Sequence, residues 1–389
     1  MSKTKHHQMY FDHSATTPVD KRVAEIFYHH MTEDFGNASS TDHEWGDRAA
    51  AAVKQSAKHV ADLIEASPRE IIWTSGATES INLAIQGSLA PNPEKPHRIA
   101  LPPLEHKAVL DTCKAYEKRG WAELTYLTVD SKGRLNLDHI EQICAQGLSL
   151  LCIMAANNEI GNIYPIQEIG QIAQRHNIPF LCDASQAVGK IPINFEEWGI
   201  TYLAISAHKL YGPKGVGALV VRRGYHLEPM MFGGGHQQGM RSGTLNVPGI
   251  VGLGEACRLR QLEMAEDEQA IAHKRNKLQQ LLSTQFPNLV VNGDTDDRLA
   301  GNLHISIPGI PNSAVIARIR HRLAISTGSA CSSGIESPSH VLQAIKLSED
   351  LVEGALRIGI GKFTTDDEIL QAAKILTEAI QQVSSKMAS

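Results

Sequence analysis

Cys331 is the residue whose surroundings most clearly suggest chemistry. It lies in STGSACSSG, residues 326–334, among small and turn-forming residues, whereas Cys152 and Cys182 lie inside apolar runs. A segment of this kind buries little, so we expect a mobile loop with an accessible thiol. A thiol with a pKa of about 8.5 is only slightly ionised at neutral pH, so nucleophilic attack needs local activation or a proton acceptor on the substrate. A turn cysteine without a chemical role is the alternative.

Two ionisable residues follow predicted strands. Asp183 ends the strand in LCDASQAVG, and Lys209 follows the strand in ISAHKLYGPKGVGALVV. In open α/β sheets, ligands bind just beyond the carboxyl ends of the strands. A carboxylate there can keep a pyridinium nitrogen protonated, and a partly desolvated lysine amine can form a Schiff base, as in pyridoxal 5′-phosphate (PLP) sites. Taken singly, Asp183 is more typical of a turn cap and Lys209 of a surface charge, and only their combination favours the chemical interpretation.

The segment TSGATES, residues 74–80, joins a predicted strand to a predicted helix through a glycine turn. The backbone N–H groups and the positive dipole end of such a helix start suit a phosphate group, and Thr78 adds a hydroxyl. Further candidate phosphate donors are Ser206 and His208. The alternative is an ordinary helix start, capped by Ser75 or Thr78 and with Glu79 in its first turn.

Arg357 and the glycine-rich run at 233–246 complete the set of candidates. Arg357 lies in ALRIGIG, a predicted strand. A buried arginine there needs an anionic partner, which is either a substrate carboxylate bound through two hydrogen bonds or, as the alternative, an internal salt bridge. The run GGGHQQGMRSGTLN offers Arg241 and Thr244 as anion contacts that can reach a neighbouring subunit. A flexible loop is the alternative for this run.

Short apolar runs between about residues 47 and 255 predict the strands that position these groups. The runs are EIIWT (70–74), RIAL (98–101), LTYLTV (124–129), LLCIM (150–154), PFLCD (179–183), YLAIS (202–206) and GALVV (217–221). Most lack polar alternation, which is typical of strands covered on both faces. Helical patterns lie between them, for example at 47–66 and after Pro165 as far as about Asn177. We therefore predict an α/β domain with a mostly parallel sheet.

The pattern changes after Gly254 to a long charged helix that begins at EACRLRQ. The strands LVVNG, NLHISI, LAIST and ALRIGIG follow, and a last helix lies near 366–384. This order predicts a smaller α+β domain.

The composition is that of a soluble globular protein. The 389 residues carry a formal net charge of -5, which argues against a generally basic, nucleic-acid-coating surface. The six cysteines form no Cys-x-x-Cys pair, so we expect a reducing compartment with neither a zinc site nor a disulfide framework. The adjacent histidines at 6–7 and 29–30 lack carboxylate or cysteine partners, so no metal site is expected. The start has no apolar run typical of a signal peptide, which favours the cytoplasm.

Ten motifs, taken in order, resemble those of the group I cysteine desulfurases, the iron–sulfur-assembly and nitrogen-fixation type within the class V aminotransferase-type PLP enzymes. They are DHSATTPVD, FGNASS, TSGATES, LEHKAVLDTC, NNEIGNIYPI, CDASQAVGK, AHKLYGPKGVGAL, GGGHQQGMRSGTLN, STGSACSSG and LRIGIGKFTTDDEI. The resemblance implies PLP fold-type I, like aspartate aminotransferase. It also implies a large domain at 31–254 and a small domain formed by 1–30 and 255–389. The implied reaction converts L-cysteine to L-alanine and leaves the sulfur on Cys331 as a persulfide.

The same resemblance implies roles for single residues. Lys209 forms the Schiff base with PLP, and Asp183 pairs with the pyridine nitrogen. His106 stacks on the ring and assists proton transfer, and Gln186 hydrogen-bonds the phenolic oxygen of the ring. The remaining implied contacts are Asn158 near the ring and the substrate carboxylate, Arg357 on that carboxylate, and Ala77, Thr78, Ser206 and His208 at the phosphate, joined by Thr244 of the partner subunit.

These roles imply a homodimer that passes sulfur to an acceptor protein, in iron–sulfur assembly or in tRNA or DNA sulfur modification. Direct contact with nucleic acid or a membrane is not expected. A selenocysteine lyase or an aminotransferase would keep the cofactor, and a noncatalytic scaffold would keep only the fold. Cys331 argues against simple transamination, and the set Lys209, Asp183 and His106 argues against the scaffold.

Overall fold

The computed structural model describes residues 8–90, 94–327 and 339–387. The strands in these ranges are β1 (Met9–Tyr10), β2 (Ile71–Thr74), β3 (His97–Leu101), β4 (Ala122–Tyr126), β5 (Leu150–Cys152), β6 (Phe180–Asp183), β7 (Tyr202–Ser206), β8 (Gly217–Val221), β9 (Val290–Val291), β10 (Asn302–Ser306), β11 (Leu323–Ala324) and β12 (Ala355–Gly359). The α-helices are α1 (Lys21–Thr32), α2 (Glu44–Ile64), α3 (Ala77–Ser88), α4 (Lys107–Lys118), α5 (Leu137–Ala145), α6 (Ile166–Arg175), α7 (Val247–Gln285), α8 (Asn312–Ile319), α9 (His340–Ala344), α10 (Glu349–Glu353) and α11 (Asp366–Met387).

The large sheet has the strand order β2-β8-β7-β6-β5-β3-β4. Strand β8 is antiparallel to both of its neighbours, and the other neighbouring pairs are parallel. Consequently β8 alone runs against the direction of the other strands in this sheet. The mostly parallel mixed sheet predicted from the sequence is confirmed.

Both faces of this sheet are buried, which explains why its strands lack polar alternation. On β7, Leu203 and Ile205 pack into one hydrophobic core, and Tyr202 and Ala204 pack into the other. Successive side chains of a strand point to opposite faces, so a strand that is covered twice needs an apolar residue at every position. Helices α2, α5 and α6 contribute to the first core, and α3 and α4 to the second.

A second, antiparallel sheet has the order β12-β10-β9. Its core includes residues from β10 and β12, from α8 and α11, and from the later part of α7. Strand β1 pairs in parallel with β11. The resulting α+β unit agrees with the fold class predicted from the sequence.

Helix α7 begins at Val247, earlier than the sequence pattern after Gly254 indicated. Glycine is a poor helix former, but the glycines in this stretch serve close packing. A Cβ at Gly254 would lie 2.6 Å from the Cβ of Ser56 on α2, and one at Gly252 would lie 2.9 Å from Pro213. Tertiary packing therefore outweighs the low helix propensity of glycine here.

The long helix α7 crosses residue 254, the predicted domain boundary. The N-terminal segment packs against both sheets. Phe11 lies in the core of the smaller sheet, and Val23 lies in one of the two cores of the larger sheet. The division into 31–254 and 1–30 with 255–389 stays a prediction. Within the described ranges, no helix has both the length and the apolar character that crossing a bilayer requires.

Candidate active site

The sequence-predicted residues gather at one edge of the large sheet. The segments that follow the carboxyl ends of β2, β3, β5, β6 and β7 line a cavity of about 490 Å³, a size typical of small-molecule sites. Ten of the twelve predicted residues line it: Ala77, Thr78, His106, Asn158, Asp183, Gln186, Ser206, His208, Lys209 and Arg357. Open α/β sheets bind ligands at this position.

Helix α3 begins at the cavity with Gly76 before it and without a side-chain cap. Gly76 has a φ of 150°, which is a conformation that suits glycine. A Cβ at Gly217 on β8 would lie 2.6 Å from the Cα of Gly76, so glycine at both positions allows the close approach of these two segments. The first-turn N–H groups of α3 and its positive dipole end are therefore available for an anion at this end of the cavity.

Glu79, in the first turn of α3, is engaged by protein groups. Its carboxylate accepts a hydrogen bond from the backbone N–H of Ser75 at 2.7 Å and pairs with Nε of Arg241 at 2.8 Å. Arg241, a candidate anion contact, thus binds a protein carboxylate. The alternative in which Ser75 or Thr78 caps the helix is not observed. Thr244 is exposed and does not line the cavity.

His208 is a neutral ring at neutral pH. Burial and the neighbouring Lys209 lower the pKa of His208 to about 4. Its Nδ1 lies 3.1 Å from the hydroxyl oxygen of Thr16. Together with the buried Ser206 at the end of β7, this ring can hydrogen-bond an anion without adding a positive charge.

Lys209 is held by the N-terminal segment of the chain. Its Nζ donates hydrogen bonds to the backbone carbonyls of Ser14 and Ala15, both at 2.7 Å. Sequence reasoning missed Ser14 and Ala15 as partners because a backbone acceptor leaves no signature in residue type. Both residues lie in the motif DHSATTPVD, but this segment was noticed only because the motif resembles that of the cysteine desulfurases.

Asp183 and Gln186 form the adjoining wall and are both buried. The Oδ1 atom of Asp183 accepts a hydrogen bond from the backbone N–H of Ser185 at 3.0 Å. This is the turn contact expected as the alternative for Asp183, and it coexists with a position at the cavity. The amide nitrogen of Gln186 donates to the Ser14 carbonyl at 2.9 Å, and its oxygen accepts from Nζ of Lys190 at 2.9 Å.

His106 is the N-cap residue of α4. Its Nδ1 accepts a hydrogen bond from the backbone N–H of Ala108 at 3.1 Å, so in the neutral ring the proton lies on Nε2. The preceding Glu105 is fully buried, and burial raises its pKa well above the ordinary value, which favours the neutral acid. Its backbone carbonyl accepts a hydrogen bond from Nε2 of His340 at 3.0 Å.

Arg357 is buried on β12 and contacts two groups. Its Nη2 pairs with Oδ1 of Asp12 at 2.9 Å, and its Nη1 donates to the backbone carbonyl of Asn158 at 3.2 Å. The internal salt bridge expected as the alternative is therefore present. The Nε atom has no hydrogen-bond partner among the described residues, which leaves a buried donor that can bind a further acceptor.

These groups fit PLP by their chemistry. Asp183 is a buried carboxylate suited to a pyridinium nitrogen, Lys209 supplies the amine for an aldehyde, and the uncapped start of α3 suits a phosphate. The cavity volume also suits a ring of this size.

Cys331 lies in 328–338, outside the described residues. Within the described ranges every cysteine is buried: Cys113, Cys144, Cys152, Cys182 and Cys257. Burial raises the pKa of the Cys144 thiol to about 11 and also raises the pKa values of Cys152, Cys182 and Cys257. The expectation that Cys152 and Cys182 are core residues is met.

Known proteins resemble this chain over nearly all of its length. The family model for class V aminotransferases matches residues 9–371. A cysteine desulfurase IscS from an Anaeromyxobacter species is 43% identical over 377 residues, which cover 96% of this chain and 93% of the relative. A solved NifS-like protein has a TM-score of 0.89 at 34% identity, covering 96% of this chain and 99% of its own. A structure of SspA in complex with cysteine has a TM-score of 0.80 at 34% identity, covering 92% of this chain and 100% of its own.

Proposed function

Because this chain belongs to the class V aminotransferases and is a PLP-dependent cysteine desulfurase, we propose that it moves the sulfur of L-cysteine onto Cys331. The convergence of Lys209, Asp183 and Arg357 on one cavity carries this proposal. The IscS and NifS-like relatives favour desulfuration over the aminotransferase, lyase and scaffold alternatives.

PLP, when bound, supplies the electron sink that makes the Cα proton of an amino acid acidic. Lys209 would hold the cofactor through its amine, and the same amine would move the proton at Cα of the substrate. Asp183 keeps the ring nitrogen protonated. His106 would lie against the ring and assist proton transfer, and its proton on Nε2 makes that atom a donor.

Two groups of residues orient the ligands. Arg357 and Asn158 bind the carboxylate of L-cysteine, and the Nε of Arg357, which has no partner in the described part of the chain, supports this role. The start of α3, with Ala77, Thr78, Ser206 and His208, binds the phosphate. Gln186 hydrogen-bonds the ring oxygen.

The transfer of sulfur needs no oxidant, reductant or other reactant besides L-cysteine and the Cys331 thiol. The Cys331 sulfur forms a bond to the substrate sulfur while the Cβ–S bond breaks, and that electron pair stays with the three-carbon fragment. The fragment takes a proton at Cβ and leaves as L-alanine, and Cys331 keeps the sulfur as a persulfide. An acceptor protein then removes this sulfur.

A homodimer would complete the site with Thr244 of the partner subunit. Thr244 is exposed, and the same surface loop carries Met230, Met231 and Phe232, of which Phe232 is 86% exposed. Exposed apolar groups of this kind are typical of an interface. The scattered thiols are consistent with a reducing compartment such as the cytoplasm.

The direct test is a product assay. PLP-loaded protein is incubated with L-cysteine and a thiol reductant, and alanine and sulfide are quantified together. We expect equal amounts of both products and a rate that falls when the reductant is omitted. Pyruvate or a keto acid in place of alanine would contradict the proposal and indicate another PLP reaction.

Replacing Arg357 with glutamine should raise KM for L-cysteine about 10- to 100-fold, since the change removes a charge-assisted contact to the substrate carboxylate. Steady-state kinetics at full PLP loading measures this effect. Asp12→Asn is the matched control, because it removes the Asp12–Arg357 ion pair and keeps the guanidinium. An unchanged KM in Arg357→Gln, or an equal rise in Asp12→Asn, would show that Arg357 is only a structural ion-pair partner.

A further inference from the structure

Lys190 contacts the side-chain amide of Gln186, which lies four residues earlier in the same turn. The turn is closed by a hydrogen bond from the Lys190 N–H to the Ala187 carbonyl at 2.9 Å. Nζ of Lys190 donates to Oε1 of Gln186, and Nε2 of Gln186 donates to the Ser14 carbonyl, both at 2.9 Å. The same carbonyl accepts from Nζ of Lys209 at 2.7 Å. A continuous chain of contacts thus links Lys190 to Lys209.

Two groups, the ammonium group of Lys190 and the backbone carbonyl of Ser14, together determine which way the Gln186 amide points. An ammonium group only donates hydrogen bonds, so the atom that faces it must be the amide oxygen. The NH2 group of Gln186 is then directed to the other side, where it reaches the Ser14 carbonyl beside the cavity. Gln186 therefore offers the cavity a hydrogen-bond donor and not an acceptor.

Lys190 is in turn positioned by helix α7. The almost fully buried Arg260 donates from Nε to the Gly189 carbonyl at 2.7 Å and from Nη2 to Oε1 of Glu268 at 2.8 Å. Glu268 and Lys190 line a common cavity of about 20 Å³, with room for about one water molecule. The other titratable groups at this small cavity are His13 and Tyr211.

The charge of Lys190 depends on these neighbours. Burial lowers the pKa of Lys190 to about 8, and the carboxylate of Glu268 acts in the opposite direction. The 2.9 Å contact from Nζ of Lys190 to the amide oxygen of Gln186 is the contact that a charged, donor-only group makes, so the charge of Lys190 and the orientation of Gln186 depend on each other.

We propose that Lys190 is a positioning residue for Gln186 and fixes its amide as a donor to the ring oxygen of PLP. This inference rests on the proposed function, since it concerns the same cofactor site. Lys190 does not line the candidate cavity and acts through Gln186. A donor to an anionic oxygen lowers the proton affinity of that oxygen, so loss of Lys190 raises it.

The experiment compares Lys190→Met with Lys190→Arg in the PLP-loaded enzyme without substrate. The visible absorption band of bound PLP is titrated with pH, and PLP affinity is measured separately. We expect the titration midpoint of Lys190→Met to rise by about one unit and its kcat to fall about tenfold, with KM for L-cysteine changed less than about twofold. Lys190→Arg, which keeps a donor-only cation, should restore the wild-type midpoint.

A double-mutant cycle shows whether Lys190 acts through Gln186. In a Gln186→Met background, Lys190→Met should produce no further shift of the midpoint. A Lys190→Met midpoint equal to that of the wild type, or full additivity of the two changes, overturns the inference. If Lys190→Met does not fold, Lys190→Gln is measured instead. Its titration midpoint should rise by less, because the new amide can either accept or donate a hydrogen bond. A Lys190→Gln midpoint equal to that of the wild type would also contradict the inference. Wild-type protein that binds no PLP would instead refute the proposed function.

Discussion

Lys209→Ala protein is expected to form alanine about 10²- to 10⁴-fold more slowly than the wild type, the range lost when a positioned proton-transfer group is removed. The cofactor should still bind, because Asp183 and the start of α3 are unchanged. Borohydride reduction should fix PLP to the wild-type protein and not to the variant. Intact-mass measurement after reduction detects the difference.

Lys214 is the main alternative to Lys209 as the attachment site of PLP, because it lines the same cavity. Peptide mapping of reduced wild-type protein separates the two, since a label on Lys214 would show that Lys209 is not the attachment site. Lys58→Ala is the matched control: its side chain is exposed, and its ion pair with Asp62 lies on α2, so we expect a wild-type rate. A Lys209→Ala protein with that rate would likewise rule out the assigned role.

The positions of the chemical groups follow from the sequence because strand ends are visible in it. Asp183 comes at the end of a wholly apolar run, and Lys209 follows the next such run. Parallel strands bring their carboxyl ends to one edge, so residues far apart in sequence become neighbours. The strand order, in contrast, cannot be predicted from the sequence in this way. Nothing in the residue types of β8 shows that it pairs between β2 and β7.

Contacts between residues that are far apart in the sequence were the main feature that the sequence did not predict. Arg357 is recognisable as a buried arginine, yet its partner Asp12 lies 345 residues away, and no local pattern connects them. Lys190 looks like an ordinary turn lysine in VGKIP, and its contact with Gln186 becomes apparent only when the turn is folded. Helix α7 begins before the charged pattern at EACRLRQ, in a stretch whose glycines serve close packing and therefore give no sign of a helix in the residue types alone.

Cys331→Ser protein is expected to lose alanine formation at least about 10³-fold, because a serine hydroxyl cannot accept sulfur as a persulfide and loss of a nucleophile commonly costs this much or more. PLP content and the visible band of the resting enzyme should be unchanged, since Cys331 is not among the residues proposed to bind the cofactor. The measurement is alanine formed per enzyme with excess L-cysteine and reductant, together with persulfide detection by mass after alkylation.

Cys144→Ala is the matched control for this loss. Burial raises the pKa of the Cys144 thiol to about 11, so this thiol is protonated at neutral pH and cannot act as a thiolate nucleophile. Its removal should leave the alanine rate and the persulfide mass unchanged. A Cys331→Ser protein that still forms alanine at the wild-type rate would mean that sulfur leaves the substrate directly and that the persulfide assignment is wrong. Selective loss in Cys331→Ser, with PLP retained, instead identifies the thiol that carries sulfur from this cavity to the acceptor.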